Sequence, residues 1–309
     1  MSLASETLVA LPPYEVIGPE HAPAIVVLGG ISAHRHVCAS AADPRPGWWE
    51  SVAGAGRPLD TTRYRLVGLD FLDGGRGPDG RPERSVTTHD QADAIAASLD
   101  DAGVARVHAV VGASYGGMVA LAFAERYPER LERLIAIGAA HRSHPMTTAL
   151  RAIQRRIVEL GVETGRTHDA LVLARALAMT TYRSAGEFEE RFKCRSLASL
   201  GMTSFPVEQY LLHQGERFAA TWSAERFLAL SLSADLHFVE PAEIHVPTVL
   251  VAAEGDTNVP RGLVDELARE TGGPCTIADL PSTNGHDAFL TEPESLGRIL
   301  QTALASSVS

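Results

Sequence analysis

The stretch VVGASYGGMVALAFAERYP, residues 110–128, sets a serine among glycines where a run of β-formers gives way to a helical pattern. Its centre, Gly112-Ala113-Ser114-Tyr115-Gly116, fits G-x-S-x-G, preceded by RVHAVV and followed by GMVALAFAERYP. Three fixed positions recur by chance, so the surrounding strand–turn–helix order carries the reading. In that order the glycines relieve a strained turn and leave Ser114 Oγ exposed at a sheet edge. The backbone N–H of Tyr115 then opens a helix whose dipole favours negative charge.

Outward from this corner the chain alternates. Apolar runs at 24–28, 64–69, 107–111, 134–137 and 248–252 each end in glycine or a turn. Near-continuous apolar strands belong to a parallel sheet covered on both faces. Helical patterns at about 88–102, 117–126 and 261–271 lie between them, which predicts a doubly wound α/β domain. From 142 to 240 the pattern changes to Leu, Ala, Arg and Glu at helical spacing. We read residues 1–141 and 241–309 as two halves of one α/β core, and residues 142–240 as a helical lid over its ligand-binding edge.

Composition limits what such a chain does. Its 309 residues suffice for a full core, and a net charge of −11 argues against nucleic acid as a partner. The three cysteines, Cys38, Cys194 and Cys275, form no CxxC pair, which suits a reducing compartment. The opening MSLASETLVALPPYEV lacks a basic region and breaks at Pro12-Pro13, so a signal peptide is not expected. No apolar run approaches the ~20 residues of a membrane span. A cytoplasmic protein without membrane partners is the expectation.

A serine nucleophile requires a base and an acid that orients it. In a strand–elbow–helix protein the chain order is serine, acid, histidine. Among the twelve histidines, His286 in PSTNGHDAFLTEPE alone follows His245, and it sits in a polar loop after the strand-like CTIADL. Asp256 ends TVLVAAEGD just past a buried run; Glu254 is its competitor, and a helix-capping role for Asp256 is the alternative. The second oxyanion donor is assigned to the loop after the first core strand, with Gly29 and Gly30 leading to the Ile31 amide. His34 with His36, and His141 with His144, have metal-ligand spacing but no further ligand cluster, so no metal is expected.

The segments GGISAHRHV, PGWWESVAGAGRPLDTTRYRLVGLDFL, GASYGGMVALAFAERYPERLERLIAIGAA, LARALAMTTYRS, VEQYLLHQGERF and NGHDAFL together resemble the homoserine O-acyltransferase branch of the α/β-hydrolase superfamily, from about residue 24 to 295. The resemblance implies acyl transfer from acyl-CoA to the hydroxyl of L-homoserine, in methionine biosynthesis, through an ester on the serine. Apart from acyl-CoA as co-substrate it implies no cofactor, and it implies a homodimer. It places the nucleophile on Ser114, the acid on Asp256 and the base on His286. Asp287 becomes the partner of the substrate amine and Arg183 the partner of its carboxylate, a pairing that suits a guanidinium. Two departures stand out. The segment LDGGRGPDGRPERSVTTHD is shorter than its family counterpart, and the arginine of the family's YLRYQG segment is Leu212 here.

A succinyl donor carries a carboxylate that an acetyl donor lacks, and a site built for it wants a further cation. Arg76 in GGRG and Arg151, Arg155 and Arg156 in RAIQRR are the candidates. They tilt the expectation towards succinyl. The same chemistry on serine, and a small-ester serine hydrolase, remain the competing readings.

Overall fold

The computed structural model describes residues 11–77, 79–192 and 205–305; Cys194 and most of the N-terminal segment read above lie outside them. The strands are β1 (Tyr14–Ile17), β2 (Ala24–Leu28), β3 (Arg65–Leu69), β4 (Ala109–Ala113), β5 (Leu134–Ile137), β6 (Thr248–Ala253) and β7 (Cys275–Leu280). They form one sheet in the order β1-β3-β2-β4-β5-β6-β7, with β1 antiparallel to β3 and every other pair parallel.

Every residue of β2, β4 and β5 is buried, as apolar runs covered on both faces must be. Successive residues feed opposite cores. Val26, Val110, Leu134 and Leu250 pack under α1 (Thr88–Asp101), α2 (Tyr115–Arg126) and α8 (Arg261–Glu270). Ile25, Val27, Val111, Ile135 and Val251 face the other way, onto Trp49, Leu59 and the C-terminal helix Pro293–Ala305. Each such side chain, fully buried, contributes roughly 1.5–3 kcal/mol before entropy is counted. Helix α1 starts at Thr87, whose hydroxyl accepts from the Asp90 N–H while the Asp90 carboxylate accepts from the Thr87 N–H.

Between β5 and β6 stand α3 (Pro145–Glu163), α4 (Thr167–Tyr182), α5 (Ala185–Phe192), α6 (Pro206–Ala219) and α7 (Ala224–Leu236). They carry their own apolar cluster, centred on Val158, Leu171, Phe218 and Phe227. His237, just after α7, pins this block to the core. Its Nδ1 pairs with Thr88 Oγ1 at 2.9 Å and its Nε2 with the Ala140 carbonyl at 3.0 Å. Burial drives its pKa down to about 3, so the imidazole stays neutral near pH 7. Among the described residues no helix is long and apolar enough to cross a membrane.

Candidate active site

Strand β4 runs straight into Ser114, and α2 leaves from it. Ser114 has φ 54°, and it is the one non-glycine residue with positive φ among the described residues. Such strain persists only where the surroundings enforce it. Here they do: Ser114 N–H donates to the Ile137 carbonyl at 2.8 Å and Gly116 N–H to the Gly29 carbonyl at 2.9 Å. A Cβ on Gly112 would lie 2.2 Å from the Gly116 carbonyl oxygen, and one on Gly116 2.5 Å from that of Gly29. The two glycines of the motif are there for close backbone approach.

The hydroxyl of Ser114 lies 2.7 Å from Nε2 of His286. On the far side of the ring, Nδ1 is 2.7 Å from Asp256 Oδ2. The loop after β6 delivers Asp256 and the loop after β7 delivers His286, while Glu254 is exposed. The other Asp256 oxygen, Oδ1, accepts the N–H groups of Asn258 and Val259 at 2.8 and 3.0 Å, so the carboxylate cannot rotate freely. His245 is exposed and lies beside Glu243 instead. Burial alone would lower the His286 pKa, but the Asp256 charge and hydrogen bond outweigh it and the net shift is upward. The arrangement can move the hydroxyl proton onto the ring and hold the resulting imidazolium.

The Ile31 and Tyr115 residues flank Ser114 in one cavity, and among the described residues no loop or turn carbonyl takes either N–H. The Tyr115 side chain turns away into the core. Its hydroxyl bonds Ser233 at 2.7 Å, and burial pushes its pKa up to about 12.

In front of Ser114 opens a chamber of about 190 Å³, walled by Trp48, Tyr182 and Phe289. Asp287 lines it, with its pKa raised by burial against the opposing Arg183 charge. Arg183 ends α4, donates Nη1–H to Asn284 Oδ1 at 2.9 Å, and sets Nε 3.1 Å from Asp287 Oδ2 in a contact that is not aligned as a hydrogen bond. Arg175, which sequence reasoning did not single out, also lines the chamber. Its guanidinium lies 5.1 Å from the ring centres of both Tyr182 and Phe218, and it has no carboxylate partner among the described residues.

The four arginines proposed for an acyl carboxylate separate. Arg151 lines a second cavity beside Ser114. Arg155 lies behind it, bonded to Asp235 Oδ2 at 2.5 Å and to Ser231. Arg156 points outward, 60% exposed, toward Glu159. Arg76 is 84% exposed and pairs with Glu225 at 3.0 Å. Leu212, where the resemblance has an arginine, is exposed on α6. The histidine pairs are otherwise engaged. His36 bonds Glu15 and the Arg45 carbonyl, His34 Nδ1 accepts the His36 N–H, and His144 caps α3. His141 Nε2 lies 3.4 Å from Glu266.

A strained serine elbow ending a central parallel strand, with acid and base in the loops after β6 and β7, is the construction of the α/β hydrolase fold. The sequence profile of the alpha/beta hydrolase fold family matches residues 23–293. A homoserine O-succinyltransferase of Xanthomonas campestris pv. campestris is 46% identical across 95% of this chain and 79% of its own. A serine O-succinyltransferase of Litchfieldella anticariensis is 33% identical, covering 92% of this chain and 89% of its own. The crystal structure of homoserine O-acetyltransferase from Bacillus anthracis superposes with a TM-score of 0.85 at 19% identity, over 96% of this chain and 92% of that one. The chain belongs to the homoserine O-acyltransferase family of α/β hydrolases.

Proposed function

We propose that the protein transfers the succinyl group of succinyl-CoA to the side-chain hydroxyl of L-homoserine, by way of an ester on Ser114, in methionine biosynthesis. The observation that carries this reading is 46% identity over 95% of the chain to a homoserine O-succinyltransferase. The site supports the chemistry independently. His286 Nε2 takes the Ser114 proton as Oγ adds to the thioester carbonyl, and Asp256 holds Nδ1–H and steadies the imidazolium. The Ile31 and Tyr115 amides receive the oxyanion, a contribution worth about 100- to 1,000-fold per donor. The C–S bond breaks and the proton passes from His286 to the CoA thiolate. Homoserine then enters, His286 accepts its hydroxyl proton, the new ester forms, and the proton returns to Ser114 Oγ.

The acceptor is a zwitterion and needs both charges. Asp287 and Arg175 in the chamber wall suit its ammonium and its carboxylate; Arg183, which the resemblance assigns to the carboxylate, lies 3.1 Å from Asp287, outside the chamber lining. Trp48, Tyr182 and Phe289 give the chamber apolar walls, which supports transfer over hydrolysis of the ester. An acyl-CoA donor would support a cytoplasmic location for the enzyme. Pairing of two copies through the lid is supported by Met146, Ile153 and Leu160, exposed one heptad apart on α3; the molar mass in solution tests it.

The function is tested by crossing succinyl-CoA and acetyl-CoA with homoserine, serine and water. The reading expects O-succinylhomoserine to form fastest. Serine as the better acceptor would reassign the substrate, since one methylene is worth only about 10- to 200-fold. Hydrolysis outrunning transfer would overturn the reading.

A further inference from the structure

The amide at Tyr115 belongs to a residue whose side chain is tied down on the far side of the elbow. Its neighbours are held by backbone: Ser114 N–H donates to the Ile137 carbonyl at 2.8 Å and Gly116 N–H to the Gly29 carbonyl at 2.9 Å. Between them, among the described residues, no loop or turn carbonyl takes the Tyr115 N–H. An N–H left open in the first turn of a helix is available to an anion. The phenol at the other end of the residue is fully engaged. Tyr115 is buried, and Phe71 meets its ring edge-on with 4.8 Å between centres. Its hydroxyl pairs with Ser233 Oγ of α7 at 2.7 Å and accepts Gln91 Nε2–H of α1 at 3.3 Å. Gln91 is itself locked, since Oε1 accepts the Leu72 N–H at 2.9 Å and Nε2 donates to the Leu72 carbonyl at 2.8 Å. Ser233 is buried too, and it comes from the lid block. One hydroxyl therefore joins the core, the lid and the residue that carries the open amide. Burial pushes its pKa up to about 12, so it keeps its proton at neutral pH.

We propose that Ser233 and Gln91 are positioning residues for the oxyanion hole: through the Tyr115 hydroxyl they fix the first residue of α2, and with it the amide that receives the negative charge. The proposal rests on the acyltransferase reading above and deepens it, because it gives the lid a part in stabilising charge. A donor lowers the barrier only if it is aimed beforehand at the point where charge develops. Displacement of a reacting contact by about 1 Å costs up to about 100-fold. Ser114, at φ 54°, stands immediately before Tyr115, so the peptide that carries the donor joins a strained residue to a tethered one. Strain of that kind persists only while the surroundings enforce it. With the tether cut, rotation of this peptide turns the N–H away from the oxyanion. Helix α7 also touches the core at a point that does not involve the phenol, where Arg226 Nη1 donates to the Phe71 carbonyl at 3.3 Å. That second contact separates seating of the lid from positioning of the donor.

The test measures kcat and KM with succinyl-CoA and homoserine, the Ki of butylboronic acid and the Kd of CoA. The proteins are the wild type, Ser233→Ala, Tyr115→Phe, the double variant of these two, and Arg226→Gln. Ser114 Oγ adds to boron, and the anionic tetrahedral adduct sets an oxygen in the hole without any acyl transfer. Ser233→Ala and Tyr115→Phe should each lower kcat about 10- to 100-fold with both KM values nearly unchanged, less than the loss of a donor removed outright. The boronate Ki should rise in the same proportion, as for an analogue of the transition state, while CoA binds as before. The double variant should be no slower than Tyr115→Phe, because both changes cut one link. Arg226→Gln, which loosens the same helix, should keep kcat and Ki. If Tyr115→Phe does not fold, Ser233→Ala decides alone, since it removes one oxygen and leaves Gln91 on the phenol. A loss of less than about tenfold in Ser233→Ala, or one in which KM rises in step, would overturn the proposal. Equal losses in Arg226→Gln would overturn it too, by assigning them to seating of the lid. A wild type that transfers no acyl group to homoserine would sink the functional reading instead, and the boronate series, which needs only Ser114 and the hole, would still decide the proposal.

Discussion

Asp256→Asn replaces one oxygen by an amide nitrogen, and the structure dictates which one. Asp256 Oδ1 accepts two backbone N–H groups, from Asn258 and Val259. An asparagine must therefore keep its carbonyl oxygen there, since a flipped amide would face two donors with a third. Its NH₂ is then forced against His286 Nδ1, where the carboxylate stood at 2.7 Å. Nδ1 becomes an acceptor, the ring proton moves to Nε2, and Nε2–H points at Ser114 Oγ. The base has no lone pair left for the hydroxyl. In a serine–histidine–aspartate site this wrong tautomer costs about 10,000-fold in kcat, or about 5 kcal/mol at 1.36 kcal/mol per decade. The assay is CoA release from succinyl-CoA with saturating homoserine, beside a thermal melt to establish folding. A folded Asp256→Asn enzyme slowed less than tenfold would refute the reasoning, and a matching loss in Glu254→Gln would move the acid to Glu254.

Ser114→Ala and His286→Ala should each lower kcat by several orders of magnitude, and the double variant should be little slower than either, because the groups act as a unit; additive losses would contradict this. The reaction needs His286 neutral, and its pKa is raised, so kcat/KM should fall as pH drops through a value above the ordinary 6.5 or so. In Asp256→Asn the burial that lowers the pKa acts unopposed by the carboxylate, and the residual activity should show its acid limb at lower pH. Gly116→Ala would press a Cβ to 2.5 Å from the Gly29 carbonyl. Overpacking of that kind costs roughly 1–3 kcal/mol, so both the Tm and kcat should drop; an unchanged melt would show that the loop carrying Ile31 yields.

The central strands are legible because burial on both faces leaves an unbroken apolar run. Their ends are less so. The run beginning at Val107 reads as a strand, yet Val107 makes only an isolated bridge to Leu131, and β4 instead extends through Ala113 into the elbow. β1 escapes sequence reading: Tyr-Glu-Val-Ile follows two prolines, mixes polarity, and gains its pairing only as an antiparallel edge. Ser114 and His286 are readable since motif context and chain order constrain them. Arg175 is not, because its place over Tyr182 and Phe218 depends on how α4 packs against α6. RAIQRR looks uniform as text. Arg151 and Arg155, four residues apart, share the inner face of α3 and both pair with Asp235 of α7, whereas Arg156 is turned away by one residue's rotation.

The central claim is an acyl group carried on Ser114, and the intact mass of the protein tests it most directly. Wild-type enzyme mixed with succinyl-CoA alone should release CoA in a burst and gain the mass of one succinyl group, located on the peptide containing Ser114. Adding homoserine should remove that mass and yield one equivalent of O-succinylhomoserine, and Ser114→Ala should gain nothing. An enzyme that turns over with both substrates present, yet never takes up the acyl mass and gives intersecting rather than parallel initial-rate lines, would contradict the account and require direct transfer between the two bound substrates.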